Sequence, residues 1–431
     1  MAFNLKNFAR FTWRSLFNSK GTDYRLTPRR IGRLVAFYLL FPLLELVIWF
    51  GFLLDDIFFR GYRRVEIEQP VFIVGNPRSG TTFLQRLLAR DRENFTSMQL
   101  WEILLAPSVT YRKVVQALVS LDRLLGGPLQ RRMAAQERRW KEENVMHRVA
   151  LRAPEEDQYL LVHIWSTLAV WTFSGILEEA EPYTFFDDQV PQAEKERIMG
   201  FYRRCIQRYL YARGGGRGRA VHYLSKNPSA SPKIDALYEF FPDAKIVYLA
   251  RNPLDVIPSY VSLLDYTWRF FGDPLRDYGS RDYVLDMARH WYTYPLERLE
   301  RAPEDSYAVV NFDDLVDDAE QTVADIYRRF GFEIGPAFAQ VLREEAERAR
   351  NHRSEHDYSL EQVGLTREQI VARYADVFDR FGFDTREGAI ETGTRVEKQP
   401  GRAGRRAGRW AKARSRRAPR FGRRDWGRGE T

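Results

Sequence analysis

The chain has 431 residues, with 67 Lys plus Arg against 58 Asp plus Glu, one cysteine and 44% apolar residues. That length and apolar share suit a large domain, or two, with a real core. The 10 Trp, 22 Tyr and 29 Phe exclude a wholly disordered chain. The lone Cys205 excludes an intramolecular disulfide scaffold and fits a reducing, cytosol-facing compartment. The formal charge of +9 is concentrated at the ends: residues 1–34 carry +7 and residues 395–431 carry +11, which leaves 35–394 at −9. The body is therefore acidic, and a body built to bind nucleic acid is not expected.

Residues 35–54, VAFYLLFPLLELVIWFGFLL, form an apolar run of membrane-span length with one charge, Glu45. The run starts late and no small-residue cleavage site follows, which argues against a cleaved signal peptide. It can span a bilayer, lie in its interface, or pack as a buried or dimer-forming helix. Pro42, Glu45 and Asp55–Asp56 weaken a span, and Arg residues on both sides give little orientation signal. The pattern favours an interfacial helix, with Trp49, Phe50 and Phe52 among its membrane contacts.

Val71–Val74 reads as a strand buried on both faces, and Phe83, Leu84, Leu87 and Leu88 recur at helical spacing. Between them lies GNPRSGTT, residues 75–82. Strand, glycine-bearing loop and helix is the layout that aims backbone N–H groups at a phosphate. The spacing Gly75-x4-Gly80 matches a Walker A loop, but Thr81 stands where that loop needs Lys, which argues against a kinase or ATPase. Arg78 instead puts a cation inside the loop. A second strand, Lys245–Ala250, ends at Arg251, with Asn252-Pro253 as a helix start and Ser259 eight residues on.

PRSGTT after VFIVG resembles the 5′-phosphosulfate loop of sulfotransferases that use 3′-phosphoadenylylsulfate (PAPS), and Arg251 with Ser259 resembles their 3′-phosphate motif. The resemblance is to the broad bacterial branch similar to tyrosylprotein sulfotransferases, and it covers roughly residues 60–385. It implies PAPS as co-substrate, with Asn76, Pro77, Arg78, Ser79, Gly80, Thr81, Thr82, Arg251 and Ser259 binding it. VHYLSKNPSASPK resembles the family's strand-then-Lys segment, so Lys226, with Arg78, is expected to stabilise the leaving oxygen. Two residues compete as general base. Glu102 follows Arg78 by 24 residues, close to the separation in tyrosylprotein enzymes. His147 precedes Pro154–Asp157, as a His often does in the family, and an imidazole suits proton abstraction near neutrality. Glu155 and Glu156 also read as acids of a helix start, and His163 as a packed core residue.

Residues 351–360, NHRSEHDYSL, form a polar loop. A late loop near this point closes over the nucleotide in the family, which makes Arg353, His356 and Tyr358 further donor contacts. Thr366 and Gln369 form a capping box, and Ile370, Val371, Tyr374, Val377, Phe378 and Phe381 line one helical face that Gly382 ends.

Strand patterns at 71–75, 221–226, 245–250 and 307–312 alternate with helical ones. They predict an α/β fold, a P-loop-type three-layer sandwich around a mostly parallel sheet. Three parts are expected: a basic arm and hydrophobic helix (1–59), a catalytic domain (60–390) with a helical acceptor-side cover (100–215), and a disordered Arg-rich tail (391–431). No Cys/His constellation suggests a metal. The expected activity is sulfuryl transfer to a hydroxyl of a lipid, glycolipid or other amphiphile, at a membrane and facing the cytoplasm, where bacteria make PAPS. The competing readings are a P-loop kinase and a non-catalytic membrane- or nucleic-acid-binding protein.

Overall fold

The computed structural model describes residues 2–128, 131–132, 151–214, 221–351 and 359–385. These belong to one compact unit, Met1–Ala389. Of the residues expected at the site, His147, Arg353, His356 and Tyr358 lie outside the described residues, as does the Arg-rich tail.

Five strands make one parallel sheet in the order β2-β3-β1-β4-β5. They are β1 (Val71–Gly75), β2 (Phe95–Thr96), β3 (His222–Lys226), β4 (Lys245–Ala250) and β5 (Tyr307–Asn311). Four were expected within one residue; two-residue β2 is too short to leave a pattern. Alternation along β1 sorts its side chains onto two faces. Val71 and Ile73 pack with Leu84, Leu87 and Leu88 of α3 (Thr81–Leu88) and with Val323 and Ile326 of the helix Ala319–Phe330. Phe72 and Val74 face the other core, with Tyr202 and Ile206 of the helix Gln192–Ala212 and Trp291 of the helix Arg281–Leu299. A sheet buried on both faces explains why its strands read as continuous apolar runs. The chain leaves β1 toward β2 and β3 and crosses back to β4 and β5. This opens a crevice at the C-terminal ends of β1 and β4, where open parallel sheets bind ligands.

At the N-terminus, α1 (Leu5–Phe17) and α2 (Pro28–Phe58) pack against the body, so Phe11, Leu34, Ile48 and Phe52 join the main core. Helix α2 is longer than its apolar run because Thr27 caps it by accepting from Arg30 N–H and Pro28 suits its first turn. It passes through Pro42 as helix. Two buried carboxylates fasten it. Glu45 meets His163 Nδ1 at 2.8 Å, and the same ring's Nε2 lies 3.0 Å from Ile103 O. Asp55 accepts from Val109 N–H (2.8 Å), Thr110 N–H (2.8 Å), Thr110 Oγ1 (2.7 Å) and Arg208 Nε (3.1 Å). It thus satisfies the first amides of α5 (Val109–Leu124), whose Tyr111 ring fits against α2 only because residue 51 is glycine.

The opposite face of α2 is apolar and bare: Leu39 is 69% exposed and Leu43 60%. Exposed Val114, Leu118 and Leu121 of α5 belong to the same exposed apolar class. Two of the three aromatic residues expected to meet a membrane point elsewhere. Phe52 is buried beneath the Arg208 guanidinium, 4.6 Å from its ring, and half-buried Trp49 packs on Phe52 and Phe201; only Phe50 is exposed. Asp55 and Arg208 draw the inner face in, and a 3.6-residue turn then carries Phe52 with it.

Among the described residues, segment 100–215 is largely helical, apart from stretches such as 151–156. It includes α4 (Leu100–Leu104), α5, a 3-10 helix Asp157–Ile164 and the helix Gln192–Ala212. The expected C-terminal helix is two, Arg367–Arg373 and Ala375–Phe381, broken at Tyr374. The Thr366/Gln369 capping box is present and Gly382 closes the second helix at φ 62°.

Candidate active site

The loop after β1 has backbone torsions that side chains resist. Arg78 sits at φ 71° and Gly80 at φ 94°. A left-handed residue costs about 1 kcal/mol or more when it carries a Cβ, and a turn of this kind points successive N–H groups inward, toward an anion. Glycine is required twice for space. A Cβ on Gly75 would lie 2.3 Å from Leu249 O, and one on Gly80 would lie 2.4 Å from the Phe312 ring.

Ser79 and Thr81 are buried, Thr82 is half-buried and Arg78 is exposed. Asn76 is buried, with its amide nitrogen 3.5 Å from Ala288 O, and Pro77 is half-buried. Among the described residues, Ser79 Oγ, Asn76 Oδ1 and Gln85 Oε1 are buried without hydrogen-bond partners. Orphaned buried polar atoms are costly, and two on one phosphate-type loop, with a third in the helix that follows it, suit a site completed by a polar ligand.

The two expected phosphate motifs meet. Arg78 Nε donates to Ser259 Oγ at 2.9 Å, and Arg251 Nη1 donates to Arg78 O at 3.2 Å. The adjacency follows from the sheet: β1 and β4 are neighbours, with Gly75 opposite Leu249, so the loop after β1 lies beside the helix start after β4. Asn252 caps that helix, Pro253–Phe271, by accepting from Leu254 N–H. Arg251 lies 4.4 Å over the Phe312 ring and pairs with Asp255 at 3.3 Å.

Lys226 ends β3 opposite Ile73 of β1, one strand from the loop. Its ammonium is buried and pairs with Glu156 Oε1 at 2.9 Å and Glu155 Oε1 at 3.2 Å. The sequence marked these two glutamates only as acids of a helix start. Glu156 does precede the 3-10 helix but makes no side-chain cap. The signal that could have found them is an adjacent acid pair needing a cation once buried, with Lys226 the one lysine already assigned to the site.

Glu102 has a different setting. One of its oxygens accepts from Gln99 N–H at 2.8 Å, completing the capping box of α4, and the other faces the fully buried Arg112 guanidinium at 3.8 Å. His163, expected in the core, is buried there against Glu45.

The loop after β1, Arg251 and Ser259 thus lie together at the C-terminal ends of β1 and β4, and comparison with known proteins places similar chains in one family. A sequence model described as "Sulfotransferase family" matches residues 70–336. The omega-hydroxy-beta-dihydromenaquinone-9 sulfotransferases Stf3 of Mycobacterium bovis and Mycobacterium tuberculosis are each 26% identical over 341 residues, covering 74% of this chain and 76% of theirs. Among solved structures, the fold is shared with sulfotransferase STF9 of Mycobacterium avium (TM-score 0.61, 18% identity, 78% of this chain and 82% of that one). It is shared likewise with sulfotransferase STF1 of M. tuberculosis (TM-score 0.57, 23% identity, 77% and 81%).

Proposed function

The chain belongs to the sulfotransferase family, and from that premise we propose that it transfers a sulfuryl group from PAPS to a hydroxyl of a membrane amphiphile. The meeting of the two phosphate motifs through Arg78, Ser259 and Arg251 carries the reading. The residues fit the donor. The loop amides, Ser79, Thr81 and Thr82 suit the 5′-phosphosulfate, with Asn76, Pro77 and Gly80 shaping the cradle, and Arg251 and Ser259 suit the 3′-phosphate. PAPS supplies an activated sulfuryl group on a phosphate leaving group. Lys226 and Arg78 stabilise the charge that grows on the bridging oxygen in an in-line transfer. Arg353, His356 and Tyr358 are proposed to close over the nucleotide. Glu102 and His147 are the proton acceptors proposed from the sequence, though Glu102 is engaged by Gln99 and Arg112.

Two observations support an amphiphilic acceptor. The Stf3 relatives are named for a hydroxylated dihydromenaquinone, which is lipid-like. Helix α2 presents a bare apolar face while Glu45 and Asp55 hold its other face to the body. A helix so fastened lies along a membrane surface rather than across it, and its apolar face can enter the headgroup boundary. Cytoplasmic orientation is proposed from donor supply.

Titration calorimetry with adenosine 3′,5′-bisphosphate against ATP tests the reading. Binding of the bisphosphate in preference to ATP is expected, and preference for ATP overturns it. Labelled PAPS with a total bacterial lipid extract then identifies the acceptor.

A further inference from the structure

On the reading above, the transfer needs a proton acceptor beside the leaving-group cation, and we infer that Glu155 is that base, with Glu156 positioning Lys226. Lys226 has three N–H donors. Glu155 and Glu156 take two of them and leave the third for the leaving oxygen. The glutamates differ in what else they do. Glu156 is engaged on both oxygens: Oε1 on Lys226 and Oε2 on the Gln158 amide, which Ser229 holds in turn. Glu155 Oε1 accepts from Lys226 and from Glu156 N–H, while Oε2 accepts no hydrogen bond among the described residues. The Glu155 side chain is about one-fifth exposed, at 18%, so the segment is open to an acceptor.

The backbone fixes this placement. Residues 151–155 run antiparallel to 98–101, through Trp101 N–H to Leu151 O (3.1 Å), Leu100 N–H to Ala153 O (3.2 Å) and Glu155 N–H to Met98 O (3.4 Å). Gln85 of α3 donates to Glu155 O at 3.5 Å, which ties the segment to the helix that the phosphate loop begins. On the other side, the Glu156 charge helps burial push up the phenols of Tyr159 and of Tyr260, the residue after Ser259. The pair thus lies between Lys226 and α3.

The step balances. The acceptor oxygen forms a bond to sulfur as its proton passes to Glu155 Oε2. The bond between sulfur and the bridging oxygen breaks, and its electron pair stays on the departing bisphosphate beside Lys226. The acceptor leaves as a sulfate ester, and Glu155 returns its proton to water.

The test compares Glu155→Gln, Glu155→Asp and Glu156→Gln, with bisphosphate affinity read by calorimetry and initial rate read with labelled PAPS and lipid extract. Glu155→Gln is expected to lower the rate about 10²- to 10⁴-fold, the usual contribution of a general base. Its bisphosphate affinity should stay within about threefold of the wild type, and the acid limb of its pH–rate profile should vanish. Glu155→Asp should keep that limb at a reduced rate, and Glu156→Gln should keep it with a smaller loss. The inference is overturned if Glu155→Gln retains the acid limb, stays within about tenfold of the wild-type rate, or loses affinity in step with rate. A wild-type protein that binds no bisphosphate would instead strike down the proposed reaction.

Discussion

Gly80→Ala tests the phosphate loop most directly. Gly80 stands at φ 94°, and the added Cβ would lie 2.4 Å and 2.5 Å from two atoms of the Phe312 ring. The left-handed torsion costs about 1–2 kcal/mol for alanine, and overpacking against a ring costs about 1–3 kcal/mol. Alanine stiffens the unfolded chain and returns about 0.4–1 kcal/mol. The net loss is therefore about 1–5 kcal/mol, read as a lower urea midpoint by tryptophan fluorescence. A cycle with Phe312→Ala separates the two costs. Removing the ring should relieve the overpacking and leave the torsion, giving a coupling of about 1–3 kcal/mol. The ring also lies under Arg251, and that contact is lost equally in both arms of the cycle. Stability equal to wild type in Gly80→Ala, or a coupling within about 0.3 kcal/mol of zero, would refute the argument.

Arg78→Ala and Arg251→Ala should each weaken bisphosphate binding about tenfold to a hundredfold, as expected for a charge-assisted hydrogen bond; unchanged calorimetric affinity in both refutes the assignment. Asp55→Ala leaves Arg208 Nε and two α5 amides without their acceptor, while Arg208 keeps Asp56 and Tyr62, and should cost about 1–3 kcal/mol in urea unfolding. Leu39→Lys with Leu43→Lys alters only exposed positions and should remove about 1.5–3 kcal/mol of membrane affinity per side chain. Flotation with phosphatidylglycerol vesicles reads this loss, and undiminished flotation excludes the α2 face as the contact. His290, packed against Phe185 and stacked on Tyr294, has its pKa lowered to about 4, chiefly by burial. The unfolded chain takes up the proton first as pH falls below about 6.5, so the His290 contribution is present above that value and is lost toward pH 4. The stability difference between wild type and His290→Phe should shrink over this window, by at most about 1.4 kcal/mol per pH unit before solvent screening. Asp187, raised to about 6 mainly by burial, acts in the opposite sense in both proteins. A difference independent of pH would contradict the burial argument.

The parallel sheet was legible because β1 and β4 are buried along their length and carry apolar runs, and the loop because its glycines and Arg78 lie close together in sequence. Arg251 and Ser259 were legible as a motif, but their contact with Arg78 depends on β1 and β4 being neighbours. The Glu155–Glu156–Lys226 cluster joins residues about 70 apart, and no local pattern announces such a pairing. The same holds for α2. Its composition fixes an apolar helix, but which side faces inward depends on Arg208 and His163, far along the chain. That is why Phe52, apolar like its neighbours, could not be told from Phe50.

The docking of α2 also bears on how the protein is made. Asp55 reaches Arg208 across 153 residues of sequence and Glu45 reaches His163 across 118. At a synthesis rate of about 5–20 residues per second, roughly 10–30 s separate the emergence of Asp55 from that of its guanidinium partner. For that interval the nascent chain displays a long apolar helix whose carboxylates lack their partners. Docking of α2 onto the body therefore waits on translation of the helix that carries Arg208.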